Sequence, residues 1–159
     1  SDAWHGLGTT YQQDANHQVA LEYLKKAIDL DKDDHSFWYS IAESYTELDK
    51  LEEAYEAYTK ALDLDGNNVD YIKDFALFLH DFSFEKEAQH LLENALEVQP
   101  QEVELHITMA GILIDKSLPH EAVFHMAEAK DLDKEAAQIF IETFPHLAEH
   151  YLVREVFNL

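Results

Sequence analysis

The sequence predicts an all-α fold made of antiparallel helix pairs that stack along the chain. Two observations support this prediction. The sequence repeats itself every 34 residues, and apolar residues recur within each repeat at helical spacing. Composition agrees, because 159 residues contain only four glycines and three prolines, which favours long regular elements over turns.

The repeat is visible as columns of equivalent residues that keep their register without an insertion. Two columns hold small residues and a third holds mainly large ones. In chain order they are Ala20, Ala54, Ala88 and Ala122; Ala27, Ala61, Ala95 and Ala129; and Trp4, Trp38, Ile72, His106 and Phe140. Two antiparallel helices approach closely only where side chains are small, and a large residue opposite fills the remaining space. The columns therefore predict two tightly paired helices in each repeat.

The second repeat shows both helices of the pair. In the segment 37–47, Phe37, Ile41 and Tyr45 recur at the spacing of one helical face, which predicts the first helix. In the segment 52–64, Ala54, Tyr58 and Ala61 do the same and predict the second helix. A short polar break separates the two helices, and in the fourth repeat Pro119 suits the first turn of the second helix.

These residues resemble the signature of the tetratricopeptide repeat (TPR) family. Its 34-residue unit carries Trp, Leu-Gly, Tyr, Ala, an aromatic residue, Ala and Pro at fixed places. The matching residues of the first two repeats are Trp4, Leu7, Gly8, Tyr11, Ala20 and Ala27, then Trp38, Tyr45, Ala54, Tyr58 and Ala61. Only Pro100 keeps the closing proline, and His106 replaces the first-helix Trp in the fourth unit. The resemblance implies a right-handed α-solenoid, the TPR superhelix, with four repeats at 1–34, 35–68, 69–102 and 103–136.

The segment 137–159 is expected to close the stack. It begins a partial fifth unit at Phe140 and leaves the pattern at Pro145, so we expect a short helix, a break and a final helix near 146–157. The apolar residues Leu147, Leu152, Val156 and Phe157 would cover the end of the solenoid, as terminal repeats require. At the other end, Ala3, Thr10 and Asp14 present a small and polar surface, which favours a natural terminus, although the missing initiator Met indicates a trimmed or excised chain.

Three acidic segments at the joints between repeats suggest calcium loops at first sight. They are DLDKDD at 29–34, DLDGNN at 63–68 and DLDKEA at 131–136. An EF-hand requires Gly at its sixth place and a bidentate Glu at its twelfth, and no copy supplies both. We expect Asp34 and Asn68 to cap helix N-termini instead.

The segment HLAEH at 146–150 matches the H-x-x-E-H arrangement of a zinc hydrolase site. On one helix His146 and His150 would share a face, with Glu149 as the base. No third ligand is identifiable, and ten histidines in the chain make one such spacing unsurprising. We expect no enzyme activity and no cofactor. His106 is expected to pack where the family places an aromatic residue.

Charge and composition exclude several classes of partner. A net charge of −22 repels phosphate backbones and anionic lipids, so we expect neither nucleic acid nor membrane partners. The absence of cysteines excludes disulfides, thiol catalysis and thiolate metal sites. No signal peptide is recognisable, and we expect a cytoplasmic protein.

The family resemblance, together with helical geometry, places the first helices on a concave groove. The predicted groove residues are Tyr39, Glu43, Glu47, Asp70, Lys73, Asp74, Leu77, His80, Ile107 and Asp115. Some members of the family bind acidic chaperone C-termini through a clamp of Lys, Asn and Arg. The matching places here hold His5, Thr9, Ser40, Asp70 and Asp74, so we exclude that ligand.

The sequence therefore predicts a non-catalytic protein–protein interaction scaffold, a monomer or weak oligomer, that binds a neutral or basic peptide in an acidic groove. Two alternatives remain. The first is a structural module that assembles through its repeat ends, and the second, more remote, is a metal-dependent hydrolase built on the HLAEH segment.

Overall fold

The computed structural model describes all residues from Ser1 to Leu159 and contains ten α-helices and no strand. The helices are α1 Asp2–Gln13, α2 His17–Leu30, α3 His35–Glu47, α4 Leu51–Leu64, α5 Val69–Asp81, α6 Glu85–Val98, α7 Val103–Asp115, α8 Pro119–Leu132, α9 Ala136–Thr143 and α10 Tyr151–Phe157. The predicted all-α fold class is confirmed. None of the ten helices is both long enough and apolar enough to span a bilayer.

The chain divides into two compact units, Ser1–Tyr71 and Ile72–Leu159. In the first unit α1 packs against α2, α2 against α3, and α3 against α4. In the second unit α7 packs against α6 and α8, and both α7 and α8 contact α9. The last helix, α10, lies against α8.

The turn inside each helix pair has the same backbone in all four copies. Four non-glycine residues with positive φ recur 34 residues apart: Ala15 (φ 55°), Asp49 (φ 55°), Ser83 (φ 66°) and Ser117 (φ 59°). In the first copy the Ala15 N–H donates to the Gln12 carbonyl at 2.9 Å and the Asn16 N–H donates to the Tyr11 carbonyl at 2.8 Å. This is the Schellman arrangement, which satisfies the last carbonyls of a helix. The conserved geometry turns the chain sharply enough for the next helix to pair with the first.

The small columns lie at the centres of the helix pairs. Ala20, Ala54, Ala88 and Ala122 each expose 0% of their surface. In the first pair a Cβ added to Gly8 would lie only 2.6 Å from the Leu24 side chain, so α1 approaches α2 as closely as a glycine permits. The predicted pairing of small residues against large ones is therefore present.

The acidic joints between repeats cap helices. Asp34 accepts a hydrogen bond from the Ser36 N–H at 2.9 Å, and Asn68 accepts one from the Tyr71 N–H at 3.3 Å. The Ser36 partner lowers the pKa of Asp34 against the opposing effect of burial. Pro119 lies in the first turn of α8, as predicted.

The predicted helix near 146–157 is wrong in its first half. Phe144 precedes a proline and is held out of the helical region (φ −125°, ψ 68°), so α9 ends at Thr143. A single 3₁₀ turn, Pro145–Leu147, follows, and His150 is extended (φ −65°, ψ 132°) before α10 begins at Tyr151. Leu147, Leu152 and Phe157 are buried, so this segment still covers apolar surface.

Replacing Ala15 by Gly should stabilise the protein. Ala15 holds a left-handed conformation that costs an L-residue about 1 kcal/mol and costs glycine little. We expect the free energy of unfolding in urea to rise by about 1 kcal/mol. The matched control is Ala127→Gly at an exposed position inside α8, which should lower it by about 1 kcal/mol. A loss of stability in Ala15→Gly would contradict the assigned turn.

Replacing Gly111 by Ala should disturb the C-terminal segment. A Cβ at Gly111 would overlap the ring of Phe144, so Phe144 must move out of its buried site. We expect a loss of about 1–3 kcal/mol in unfolding free energy. Gly6→Ala is the control, because a Cβ there meets no atom within 4 Å and should be neutral or stabilising. Equal stability for the two variants would show that Phe144 does not occupy this position in solution.

Candidate functional site

Hydrogen bonds join the first helix of the first repeat, α1, to that of the second, α3. The His5 Nε2 and Ser40 Oγ atoms are 2.9 Å apart, and the Gln12 side-chain amide donates to the Ser40 carbonyl at 2.7 Å and to the Ser44 hydroxyl at 3.0 Å. The His5 ring also packs on Phe37, with centroids 4.7 Å apart. Burial lowers the pKa of His5, which favours the neutral ring. The polar atoms of these side chains are used in contacts between α1 and α3, so they are less available to a ligand.

The first unit carries the aromatic part of the surface on α3 and the first turn of α5. Tyr39 stacks on Tyr71 with ring centroids 4.3 Å apart and an interplanar angle of 19°. The Tyr71 hydroxyl lies 2.9 Å from the His35 Nδ1 atom, and burial together with nearby carboxylates raises the pKa of Tyr71. Tyr39 keeps part of its surface exposed, so its ring is fixed in place and still accessible.

Three carboxylates of the first unit are close in sequence to Tyr39 or Tyr71. Glu43 is one helical turn after Tyr39 and is half-buried, whereas Glu47 and Asp70 are exposed. Both Glu43 and Asp70 raise the pKa of the Tyr71 hydroxyl through their negative charge, so they lie close to it.

In the second unit the one predicted basic residue is already neutralised. The Lys73 Nζ atom lies 2.8 Å from the Glu104 carboxylate, and the two side chains expose 23% and 41% of their surface. Asp74 and Leu77 of α5 are half-buried.

Asp115 joins two histidines from different parts of the second unit. Its Oδ2 lies 3.1 Å from His80 Nε2, and its Oδ1 lies 3.0 Å from His146 Nε2. The predicted groove residues His80 and Asp115 are therefore brought together, and His146 of the C-terminal segment is added to them. This contact, with Phe144 against Gly111, seats the C-terminal segment on the same face of α7.

Ile107 is not a groove residue as predicted. It exposes 1% of its surface, and it lies one helical turn before Gly111 on the face of α7 that packs against α9. The prediction assumed that α7 was open to a ligand. The C-terminal segment packs on this helix instead, so the available surface of the second unit is on α5.

The zinc site suggested by HLAEH requires an α-helix across residues 146–150, and these residues do not form one. His146 lies in the 3₁₀ turn and binds Asp115, while His150 precedes α10. Glu149, the required base, forms an ion pair with Arg154. No group of three or more potential metal ligands is present in the structure. The two histidines therefore do not share a helical face, and that premise of the hydrolase alternative is wrong.

His106 packs in the core, as predicted, but it also forms a pair that the sequence did not indicate. Its Nε2 donates to the Pro100 carbonyl at 3.0 Å, and its Nδ1 lies 2.9 Å from Nδ1 of His125. Burial and the neighbouring His106 lower the pKa of His125 to about 4. The two histidines are 19 residues apart and lie on the two paired helices α7 and α8. This separation is the only feature of the sequence that could have suggested the contact.

Comparison with family models identifies the repeats. A tetratricopeptide repeat model matches residues 1–34, and a model of YpiA-like, C-terminal tetratricopeptide repeats matches residues 35–102. The chain belongs to the tetratricopeptide repeat family. A comparison with curated protein sequences finds no significant match.

Solved structures of TPR proteins have the same fold. PilF of Pseudomonas aeruginosa has a TM-score of 0.75 at 21% identity over 99% of this chain and 73% of its own. MamA of Desulfovibrio magneticus RS-1 has a TM-score of 0.72 at 19% identity, covering 99% of this chain and 90% of its own. YrrB, described as a TPR protein with an unusual peptide-binding site, has a TM-score of 0.67 at 19% identity over 98% and 81% of the two chains. At these identities the likeness shows the fold alone.

Acid should destabilise the protein through His125. An unfolded His has a pKa near about 6.5, whereas folding lowers the pKa of His125 to about 4. Between these values the unfolded chain binds more protons, so the unfolding free energy falls as the pH falls. Because the ring is partly exposed, we expect about 1–2 kcal/mol from this residue between pH 7 and pH 4.

The measurement is urea unfolding of wild type and His125→Gln across this pH range. The difference in unfolding free energy between the two proteins should decrease by about 1–2 kcal/mol as the pH falls from 7 to 4. His120→Gln, at an exposed histidine of α8, should follow the wild-type profile. Parallel profiles for wild type and His125→Gln would contradict the assignment.

Proposed function

We propose that this chain is a non-catalytic scaffold that binds a neutral or basic peptide segment against the acidic faces of its first helices. Repeats of the TPR family are generally non-catalytic interaction modules, and membership of the family supports a scaffold role. The observation that carries the choice of ligand is the charge of the first helices. The four first helices carry one base, Lys73, which is already paired with Glu104, and eight acids: Asp2, Glu43, Glu47, Asp70, Asp74, Asp81, Glu104 and Asp115.

Repeat organisation is part of the same proposal. We place four repeats at 1–34, 35–68, 69–102 and 103–136 and a C-terminal closing segment at 137–159. The second helices begin at His17, Leu51, Glu85 and Pro119, 34 residues apart. Each repeat then contains one first helix and one second helix.

Charge alone is too weak to give useful affinity. An exposed ion pair contributes about 0.2–1 kcal/mol, so four pairs give at most about 4 kcal/mol. A micromolar complex requires about 8 kcal/mol. Apolar contacts must supply the difference, and Tyr39 in the first unit and Leu77 in the second are the accessible apolar members of the predicted face. The ligand should therefore carry apolar side chains between its basic ones.

The same charges disfavour two other partners. Asp70 and Asp74 occupy the places where a carboxylate clamp needs cationic side chains, so an acidic C-terminal tail would be repelled. Nucleic acid would meet the same repulsion from a chain with a net charge of −22.

The variant Asp70→Lys with Asp74→Lys tests the acidic face. The probe is a fluorescein-labelled peptide of alternating Lys and Leu, measured by fluorescence anisotropy at low ionic strength. We expect the double variant to weaken binding at least about tenfold, which is about 1.4 kcal/mol, and wild-type affinity to fall with added salt. An alternating Glu and Leu peptide should not bind the wild type.

Glu52→Lys with Asp63→Lys is the matched control, because it makes the same change in net charge at exposed positions of α4. The control should keep most of the affinity. If both double variants lose affinity equally, net charge and not the first-helix face governs binding. If neither loses affinity, the proposed face is wrong. Thermal melting of each variant shows that the fold is retained.

A further inference from the structure

A second binding site lies in the unit Ile72–Leu159, on the side of α7 opposite to its contact with the C-terminal segment. A pocket of about 400 Å³ opens between α6, α7 and α8. Its floor includes Met109 and Leu113 of α7, which expose 2% and 1% of their surface. Each of them lies two positions from Gly111 along the chain, which corresponds to a rotation of about 200° around the helix. The pocket is therefore distinct from the predicted groove.

The pocket has an apolar interior and an acidic rim. Leu96 of α6 and Phe124 of α8 extend the apolar surface, and Phe124 exposes 58% of its surface. The rim carries four exposed glutamates, Glu93, Glu97, Glu121 and Glu128. No Lys or Arg lines the pocket. Lys116 reaches its edge, where its Nζ donates to the Gln89 amide oxygen at 3.0 Å.

The wall of the pocket also offers a hydrogen-bond acceptor of defined identity. The Pro100 carbonyl can only accept, so Nε2 of His106 is the protonated nitrogen of that ring and Nδ1 is its acceptor. Nδ1 of His125 must then donate to it, which leaves Nε2 of His125 as an acceptor. The depressed pKa of His125 keeps that ring neutral at physiological pH. His125 is held against Phe124 with ring centroids 5.1 Å apart.

We infer that this pocket binds a tryptophan side chain from a lysine- or arginine-rich peptide segment. The indole ring matches the apolar floor and the edge of Phe124, and its N–H can donate to Nε2 of His125. The four glutamates attract the cationic neighbours of the tryptophan and raise the association rate. The size is suitable, because pockets for small ligands begin at about 300 Å³.

The test uses three labelled peptides in the protein that already carries Asp70→Lys and Asp74→Lys, so that the first-helix face does not contribute. The peptides are Lys-Lys-X-Lys-Lys with Trp, 1-naphthylalanine or Ala at X, blocked at both ends. Fluorescence anisotropy should show the Trp peptide binding at least about tenfold more tightly than the Ala peptide. The naphthylalanine peptide should lie between them, because it fills the pocket and lacks the N–H.

Two further changes locate the site. Phe124→Ala and Glu93→Lys with Glu97→Lys should each weaken the Trp peptide about tenfold. Tyr151→Ala, which removes an exposed aromatic residue outside this pocket, should leave it unchanged.

Each outcome decides a part of the inference. Equal binding of the Trp and Ala peptides, or full affinity in Phe124→Ala, overturns the pocket. Equal binding of the Trp and naphthylalanine peptides overturns the hydrogen bond to His125. The proposed function at the first-helix face is tested separately with wild-type protein and the Lys and Leu peptide, so either site can fail alone.

Discussion

The close approach of two helices at alanine is the constraint on which the rest of this structure depends. Ala20, Ala54, Ala88 and Ala122 have no exposed surface, and each is the fourth residue of the second helix in its repeat. A larger side chain would force the helices apart or strain the core by about 1–3 kcal/mol. Because a buried alanine recurs at the same position of every second helix, side chains 34 residues apart occupy equivalent places within their own repeats.

This regularity produces two kinds of surface. Within a pair, one face of each helix is used for pairing, and the remaining faces either contact the next pair or meet solvent. On α7 both remaining faces are accounted for: one packs against the C-terminal segment at Gly111, and the other forms the floor of a pocket at Met109 and Leu113. Because α7 is covered on all these faces, ten consecutive residues of this helix are buried.

The sequence predicted the features that repeat and failed at those that occur once. The helix pairs, the joint caps at Asp34 and Asn68, and the role of Pro119 follow from local rules that act over a few residues, so a single sequence reveals them. The burial of Ile107 and the His146–Asp115 contact depend on where the segment after Pro145 folds back. That path is set by packing between residues about 30 apart in sequence, with no periodic pattern to indicate it. The His106–His125 pair was also missed, because neither residue is part of the repeat signature of the family.

Acidic side chains are too numerous in this chain to identify a binding site by themselves. With 33 acids against 11 bases, most faces carry negative charge, and the charge acts mainly at long range. What distinguishes a site is an apolar group held rigidly within the acidic field. Tyr39 is fixed by its stack on Tyr71, and the largely exposed Phe124 lies beside a histidine whose hydrogen-bonding role is set by the Pro100 carbonyl. Rigid aromatic groups lose little entropy on binding, so they supply affinity that mobile surface carboxylates do not. Under the proposed function and the inferred pocket, charge selects the class of partner, and these two positions determine where on the chain it is held.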